Sequence, residues 1–290
     1  MNRSLEVFTK LYKPFKLIKY NNVYIAHSME GSYVIKLNPK IDYKKLYKYL
    51  YSRSFNYVPS LSLDSRDDMV VFDYIEDTII DSEQRIDDLI SIVSLLHNKT
   101  SYYKDVSNDK YKEIYEMIRD NILYIESYYE EWFDSFFIKE YYSPSEYLFL
   151  RNYSYIYDAI SYAKDNLDIW YSKIGDMNRQ RVVLVHNNLS LDHYIKSDSD
   201  YLISWDNYVF DTPILDLYRL YLNEWENVSF KDVFNHYNSG FELLIEEKML
   251  FNVLLCIPFK IDDNNEYNRC RNIRRLINYL DRTSKILFDI

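Results

Sequence analysis

Residues 183–195 read VLVHNNLSLDHYI, and they raise the question of what chemistry this chain could perform. An apolar segment, residues 182–185, runs directly into His186 and two asparagines, and Asp192 and His193 follow shortly after. A concentration of polar side chains just after a buried strand is typical of a functional site. The residue best placed to act as a base is nevertheless an asparagine, whose amide is neutral.

Composition restricts the class of protein. The chain has 290 residues, of which 48% are hydrophobic, and this is enough to bury a core in one large domain or in two lobes. The formal net charge of −10 argues against binding to nucleic acids or anionic membranes, because such binding requires a basic surface. We therefore expect a protein partner or a small-molecule ligand.

The cysteines and the hydrophobic segments predict where the protein resides. Cys256 and Cys270 form neither a disulfide framework nor a metal-binding spacing, and we interpret them as reduced thiols. The most apolar stretch, residues 249–259, is too short to cross a membrane. The N-terminus lacks the pattern of a signal peptide, so the expected location is the cytoplasm.

The hydrophobic pattern of the first part of the chain favours strands. A helix is predicted over residues 41–54, where apolar residues recur at helical spacing. Asn21-Asn22 is predicted to form a tight turn between the first two strands. The predicted strands are residues 15–20, 23–29, 32–39, 57–63 and 69–75.

From residue 82 onward the pattern is mainly helical. Ser82 is predicted to cap the first helix, and two short strands, residues 182–185 and 201–205, flank the opening motif. Helices are predicted over residues 85–97, about 110–130, about 132–140 and about 144–173, and from 215 to 288. The predicted fold class is α+β, with a small antiparallel β lobe (1–78) and a large helical lobe (79–290).

Three motifs in this order resemble the protein-kinase-like superfamily, in its aminoglycoside phosphotransferase and choline kinase branch. That branch has a catalytic loop His-Gly-Asp-Leu-x-x-x-Asn, then Ile-Asp-Trp/Phe-Glu, then Asp-Pro-x-x-Asp-Leu. The corresponding segments here are HNNLSLDH at 186–193, ISWD at 203–206 and PILDL at 213–217. Bacterial spore-coat kinase-like proteins look most similar, because they also carry a long helical insert before the catalytic loop.

Segments of the small lobe agree with this resemblance. YVIK at 33–36 is similar to the strand that carries a phosphate-gripping lysine, which implies that role for Lys36. VVFDYIEDT at 70–78 is similar to the hinge that holds adenine, which implies nucleotide contacts from Asp73, Tyr74 and Ile75. The resemblance implies a two-lobed kinase-like fold whose catalytic loop and following hairpin span residues 184–206.

Three positions of the catalytic machinery depart from the pattern of this branch. Phosphoryl transfer needs a carboxylate base and oxygen ligands that hold Mg²⁺. The base position is Asn188, and the two metal positions are His193 and Ser204. An amide cannot act as a base, and imidazole is a poor ligand for Mg²⁺. No catalytic residue is therefore expected to be intact, and no metal site is predicted.

The small lobe departs from the pattern in the same direction. The turn in KYNNVY at 19–24 has no glycine, although glycine lets backbone N–H groups approach a phosphate. The predicted helix 41–54 contains no glutamate to pair with Lys36, and its one acid, Asp42, is expected to cap the helix. We therefore expect no cofactor, and weak binding of Mg²⁺-ATP or none.

Structural roles compete with functional roles at the other polar positions. His186 is expected to support the backbone of the loop, and Asp216 is expected to hold that backbone in place. Asp192 and Asp206 could replace the lost catalytic groups, or they could cap turns and pair with Lys or Arg. Lys36 could meet a phosphate, or it could be a solvated lysine on a strand.

The sequence predicts a pseudokinase, a catalytically impaired kinase-like protein that acts as a binding or scaffold module. One alternative is a small-molecule phosphotransferase, of the aminoglycoside or choline type, that uses Asp192 or Asp206 in new roles. Another is a structural assembly protein such as a spore-coat component. Asn188 and Ser204 favour the pseudokinase over the enzyme.

Overall fold

A computed structural model describes residues 3–21, 23–107, 109–263 and 265–288. The described residues form nine α-helices and nine β-strands. The helices are α1 (Arg3–Tyr12), α2 (Tyr43–Ser52), α3 (Ser82–Thr100), α4 (Asp109–Phe137), α5 (Pro144–Ile174), α6 (Ile214–Glu224), α7 (Phe230–Gly240), α8 (Ile245–Cys256) and α9 (Glu266–Ser284). The strands are β1 (Lys16–Tyr20), β2 (Val23–His27), β3 (Ser32–Leu37), β4 (Met69–Asp73), β5 (Tyr102–Asp105), β6 (Arg179–Val185), β7 (Tyr194–Lys196), β8 (Asp200–Leu202) and β9 (Val209–Asp211).

The small lobe is an antiparallel sheet in the order β1-β2-β3-β4, with one helix on each face. Successive residues of a strand point to opposite faces, so Ile35 faces α1 while Lys36 faces α2. Phe8 of α1 packs on the first face, 6.2 Å from the Tyr33 ring. On the second face the Tyr43 ring of α2 lies 5.1 Å from the Phe72 ring. The sheet therefore presents Lys36 on the side that faces the large lobe.

Helix α1 was not predicted from the sequence. Leu5, Phe8 and Tyr12 lie three and four residues apart, which places them on one side of the helix. Leu5 and Phe8 are buried against Ala26 and other apolar residues of the sheet. The helix has only 10 residues, and packing on the sheet supplies the stability that so short a helix lacks alone.

The large lobe contains a four-helix arrangement in which α5 packs against α4, α8 and α9. The predicted break near residue 131 is wrong, because α4 continues unbroken to Phe137. Its buried residues recur every three, four or seven positions, as expected for one continuous face: Tyr111, Ile118, Ile122, Ile125, Tyr129 and Phe136. Trp132, at the expected break, packs on Phe149 of α5, so the aromatic packing continues through that point.

Several other predicted boundaries also differ. The strand expected over 57–63 is only an isolated bridge between Leu61 and Phe72. The strand expected over 201–205 ends at Leu202, because Ser204 adopts a left-handed backbone conformation. Ser82 does not cap α3, since Asp81 occupies that position and makes no capping bond. Asn22, the second residue of the predicted turn, lies outside the described residues.

The two lobes share one apolar core. Within the described residues, the buried cluster runs from α2 through Phe55 into the large lobe. The Phe55 ring lies 6.4 Å from the Trp205 ring, and the Tyr49 ring lies 5.2 Å from the Phe210 ring. The backbone N–H of Leu202 also donates to the carbonyl of Tyr57 at 2.9 Å. Helix α2 and the segment after it therefore hold the lobes together.

The cysteines form no disulfide within the described residues. Cys256 and Cys270 are both free thiols, and Cys256 is buried. Within the described part of the chain, no helix combines the length and the apolar character that a membrane span requires.

Candidate functional site

The loop that follows β6 is held by one buried carboxylate. Asp216, in the first turn of α6, is fully buried. One of its oxygens accepts from the N–H of His186 at 2.8 Å, and the other accepts from the N–H of Asn187 at 2.7 Å. These are the hydrogen bonds expected for Asp216 from the sequence. Asn187 has a left-handed φ of 58°, so the two amide bonds hold a conformation that few residues other than glycine adopt.

His97 extends this buried network to α7. Its Nε2 lies 3.0 Å from the same Asp216 oxygen that binds His186, and its Nδ1 lies 2.6 Å from the hydroxyl of Tyr237. Because a carboxylate accepts, Nε2 carries the hydrogen and Nδ1 accepts from the tyrosine. Burial raises the pKa of Tyr237 well above its ordinary value, so its hydroxyl stays a donor. Tyr237 was not predicted as part of this network, because no local pattern distinguishes it among the many tyrosines of the chain.

The side chain of His186 is buried beneath the loop. Its Nε2 donates to the carbonyl of Ile203 at 2.7 Å. Ile203 directly precedes Ser204, which is a metal position in the family pattern. Its ring lies 4.8 Å from that of Trp205. Its Nδ1 has no hydrogen-bond partner within the described residues. Burial lowers the pKa of His186, so the ring is neutral, and its Nε2–H is committed to the Ile203 carbonyl.

Asn188 and His193 are brought together on the loop. The Nδ1 of His193 lies 2.6 Å from the backbone carbonyl of Asn188, and it must carry the hydrogen because a carbonyl only accepts. The bond closes the loop on itself through a short 3₁₀ turn, residues 191–193. The side chain at one metal position of the family pattern is therefore bonded to the backbone at the base position.

Helix α6 supports the same loop at two further points that were missed from the sequence. The side-chain amide of Asn223 donates to the carbonyl of Leu189 at 2.7 Å, and Glu224 accepts from the N–H of Leu191 at 3.1 Å. Asn223 lies 34 positions after Leu189 in the sequence, and Glu224 lies 33 positions after Leu191. Only the fold brings them to it, and no motif of the sequence marks them.

Lys36 and Asp206 form an ion pair across the two lobes. Tyr43 of α2 completes the cluster, since its hydroxyl donates to the other Asp206 oxygen at 3.1 Å and lies 3.3 Å from the Lys36 ammonium. Burial, and next the Asp206 charge, raise the pKa of Tyr43, so the hydroxyl stays protonated. The side chains of Lys36 and Asp206 are only 17% and 22% exposed, so Lys36 is not a solvated strand lysine.

A cavity of about 400 Å³ lies between residues 74–77, the segment that resembles a kinase hinge and is called the hinge below, and residues 191–195 of the loop that follows β6. Tyr74 and Ile75 line it from the hinge, and Leu191 and Ile203 contribute apolar walls from the large lobe. Asp192 also lines the cavity and is exposed. The other residues that line it are Asp77, Arg85, Tyr194 and Ile195.

Asp73, the third hinge residue predicted to contact nucleotide, is not part of this wall. It ends β4, where its N–H donates to the carbonyl of Ser60 at 3.1 Å. The hinge residues named from the sequence are therefore divided between the cavity and the sheet.

The residues of the cleft do not fit Mg²⁺-ATP well. In the family pattern a loop covers the phosphates, but here Tyr20 pairs with Val23, so only two residues separate β1 from β2. Asn21 and Asn22 separate the strands, and neither is the glycine that lets backbone N–H groups approach a phosphate. Within the described residues, no group of three or more His, Cys, Asp or Glu side chains could hold a metal ion. Ser204 offers a neutral hydroxyl at the main metal position.

The chain has the fold of the aminoglycoside phosphotransferases. The crystal structure of one from Alicyclobacillus acidocaldarius superposes with a TM-score of 0.70 at 10% identity, over 96% of this chain and 91% of that one. The AMP-bound complex of spectinomycin phosphotransferase gives a TM-score of 0.57 at 14% identity, over 97% and 98%. Its complex with ADP and spectinomycin gives 0.52 at 13% identity, over 98% and 93%.

The structural comparison agrees with the resemblance seen in the sequence motifs. The sequence itself matches no protein-family model and no curated protein. The two-lobed kinase-like fold, with a small antiparallel sheet lobe and a larger helical lobe, is confirmed.

Proposed function

We propose that this chain is a kinase-fold binding module that does not transfer phosphate. The ion pair between Lys36 and Asp206 carries the proposal. In the family pattern Lys36 would grip a phosphate, but here a carboxylate of the same chain already neutralises its ammonium. An incoming phosphate would have to displace Asp206. It would also find a hydroxyl at Ser204 and an imidazole at His193, where the family pattern has an aspartate and an asparagine that offer oxygen ligands to Mg²⁺.

The cavity at the hinge suggests the class of ligand. Its volume of about 400 Å³ and its apolar walls from Ile75, Leu191 and Ile203 suit a flat ring system. The sheet that leads into the hinge presents Ile18, Ile25 and Val34 on the same face as Lys36, as their pairing register requires. We infer a flat small molecule as ligand, with adenine as the first candidate, bound without a requirement for Mg²⁺.

A phosphotransferase with relocated acidic groups is the second candidate, and the positions of two carboxylates favour it. Asp206 lies beside Lys36, and Asp192 lies on the wall of the hinge cavity. Either carboxylate could take up a metal or a proton if a nucleotide displaced the present contacts. Spectinomycin and other aminoglycosides are the substrates to test, because the similar structures are phosphotransferases of that class.

Two measurements on the purified protein separate these candidates. The first is ATP turnover with Mg²⁺ in the presence of spectinomycin or an aminoglycoside, for the wild type and for Asp206→Asn. The second is the melting temperature with ATP, with adenosine, and with each of them plus Mg²⁺. A ligand that binds the folded but not the unfolded state raises the free energy of unfolding by RT ln(1 + [L]/Kd), and the melting temperature rises with it.

A binding module predicts no turnover in either protein, and a melting temperature that rises equally with and without Mg²⁺. If the chain is instead a phosphotransferase with relocated acidic groups, we expect Mg²⁺-dependent turnover that Asp206→Asn abolishes. Turnover by the wild type above the rate of an Asp206→Asn and Asp192→Asn double variant would refute the binding-module proposal. A shift with ATP that appears only with Mg²⁺ would count against the metal-independent ligand.

A further inference from the structure

Charge is distributed very unevenly along this acidic chain. Residues 1–56 contain eleven Lys and Arg but only three Asp and Glu, which gives this part a formal charge of +8. The formal charge of the whole chain is −10, so the remaining residues together carry −18. Within the basic part, Lys10, Lys13, Lys16 and Lys19 recur at every third residue from the end of α1 through β1. All four are exposed, and none of them forms an ion pair within the described residues. This segment would attract an anionic partner.

The same segment exposes large apolar side chains. Phe15 is 71% exposed, Tyr20 is 64% exposed and Leu11 is 52% exposed. Leu17 and Ile18, between them, are also more than a third exposed. Leu17 and Ile18 point to opposite faces of β1, so both faces of the strand expose apolar surface. Apolar side chains that are scattered singly need no explanation, but five exposed ones within residues 11–20 indicate an interaction site.

Strand β1 also has a free edge. Within the described residues it pairs with β2 and with no other strand. Because Tyr20 and Val23 flank a two-residue turn, they form a hydrogen-bonded pair, and such pairs alternate along an antiparallel ladder. The N–H and C=O groups of Leu17 and Lys19 therefore point away from β2. They form a row to which another extended segment can bond.

We propose that the basic edge, defined as strand β1 with Lys10, Lys13, Lys16 and Lys19, binds an acidic extended segment of a partner protein as a fifth strand of the sheet. The outward N–H and C=O groups supply the main-chain bonds of such an added strand. The exposed apolar residues of this edge would pack on apolar side chains of the added strand, and the four lysines would favour a strand that carries acidic side chains.

Charge and backbone chemistry distinguish this partner from two others. A second copy of the chain would bring eight lysines onto one shared edge, and like charges on paired strands destabilise the pairing. An anionic lipid surface would satisfy the lysines and the apolar residues, but it would leave the N–H and C=O groups of the edge unpaired, which is costly away from water. An acidic strand satisfies all three features together.

The test uses a fluorescein-labelled decapeptide that alternates glutamate with valine, and a matched peptide that alternates lysine with valine. Fluorescence anisotropy at physiological salt compares the full chain with the variant Lys16→Glu/Lys19→Glu. The control is Lys44→Glu/Lys48→Glu, which reverses two exposed lysines of α2 and changes the net charge equally. We expect binding of the acidic peptide alone, weakened roughly tenfold or more in the first variant and unchanged in the control.

Hydrogen exchange distinguishes an added strand from simple charge attraction. The acidic peptide is expected to protect the amides of Leu17 and Lys19, while those of α2 stay unchanged. Equal weakening in both variants, or binding without protection of these amides, would overturn the proposal. So would a dimer whose β1 amides are protected without peptide. Sedimentation of the chain with phosphatidylserine vesicles, lost in Lys16→Glu/Lys19→Glu and not inhibited by the peptide, would assign the edge to lipid instead.

Discussion

Asp216 fixes the backbone of the loop at 186–193 from a buried position in α6. One buried carboxylate accepts the N–H groups of His186 and Asn187 and contacts His97. A buried charge of this kind is tolerated only when its oxygens are fully bonded. This network fixes the left-handed backbone conformation of Asn187. It does so through backbone N–H groups, so it does not depend on whether position 188 carries an aspartate or an asparagine.

Replacing Asp216 should therefore destabilise the fold strongly. Asp216→Ala removes the acceptor for two buried N–H groups and one imidazole, and each donor left without a partner costs about 1–3 kcal/mol. We expect the free energy of unfolding in urea to fall by at least about 3 kcal/mol. Asp158→Ala, which removes an exposed aspartate of α5, should change it by less than about 0.5 kcal/mol. Similar values for the two variants would contradict the role assigned to the network.

His186 should make stability depend on pH. Burial lowers its pKa in the folded state, so the unfolded chain takes up this proton first as the pH falls. The contribution to stability is complete above the unfolded pKa of about 6.5 and is lost progressively as the pH falls from there towards the lowered folded value. We expect urea unfolding between pH 7.5 and 5.5 to show a steeper loss for the wild type than for His186→Gln. The difference is at most about 1.4 kcal/mol for each pH unit. Equal slopes would show that His186 is accessible to protons.

At the scale of elements, patterns that are local in sequence were predicted well. The strands β1 to β3 lie within the ranges predicted for them, and α2 follows Asp42, whose side chain caps the helix by accepting from the N–H of Lys45 at 3.0 Å. The break assigned inside α4 was wrong, because aromatic residues there pack on α5 rather than end the helix. The partner of Lys36 lies 170 residues away in sequence. No pattern could assign it, although the sequence did identify both residues as candidates.

Helix α5 offers a test of how its long antiparallel pair with α4 is fixed. Glu146 accepts from the N–H of Ser143 at 2.9 Å, which forms half of a capping box, and pairs with Lys139 at 2.6 Å. The bond to Lys139 is the main cause that lowers the pKa of Glu146. We expect Glu146→Ala to lower the free energy of unfolding by about 1–2 kcal/mol. Glu140→Ala, at an exposed position of the same connection, is the control. Equal effects would mean that the cap does not stabilise α5.

At the scale of the whole molecule, the two lobes meet in a shared core and in charged contacts, which include the pair of Asp77 with Arg85 at the hinge and a cluster across the cleft. The core joins them through Phe55 and Trp205, while Lys36, Tyr43 and Asp206 join them across the cleft. Burial by the core is not directional, so it leaves the angle between the lobes weakly specified. The charged cluster has a fixed geometry, so we infer that it sets how far the cleft opens.

A double-mutant cycle tests this coupling between the lobes. Lys36→Met and Asp206→Asn each leave a partly buried partner without its counter-charge, so each should be destabilising. The double variant removes both charges and should be less destabilised than the sum of the two, with a coupling free energy of about 1–3 kcal/mol in urea unfolding. The exposed pair Lys285 and Asp281, one helical turn apart, is the control cycle, and its coupling should stay below about 0.5 kcal/mol.

The outcome of the cycle also bears on whether the cleft can receive a phosphate. If the coupling across the lobes is large, a phosphate must displace a carboxylate that already stabilises the fold, and Asp206→Asn should raise the affinity for ATP without Mg²⁺. If the Lys36 and Asp206 effects are simply additive, the ion pair contributes little. The ammonium would then be free to meet a ligand, and the relocated enzyme would become the better account of this fold.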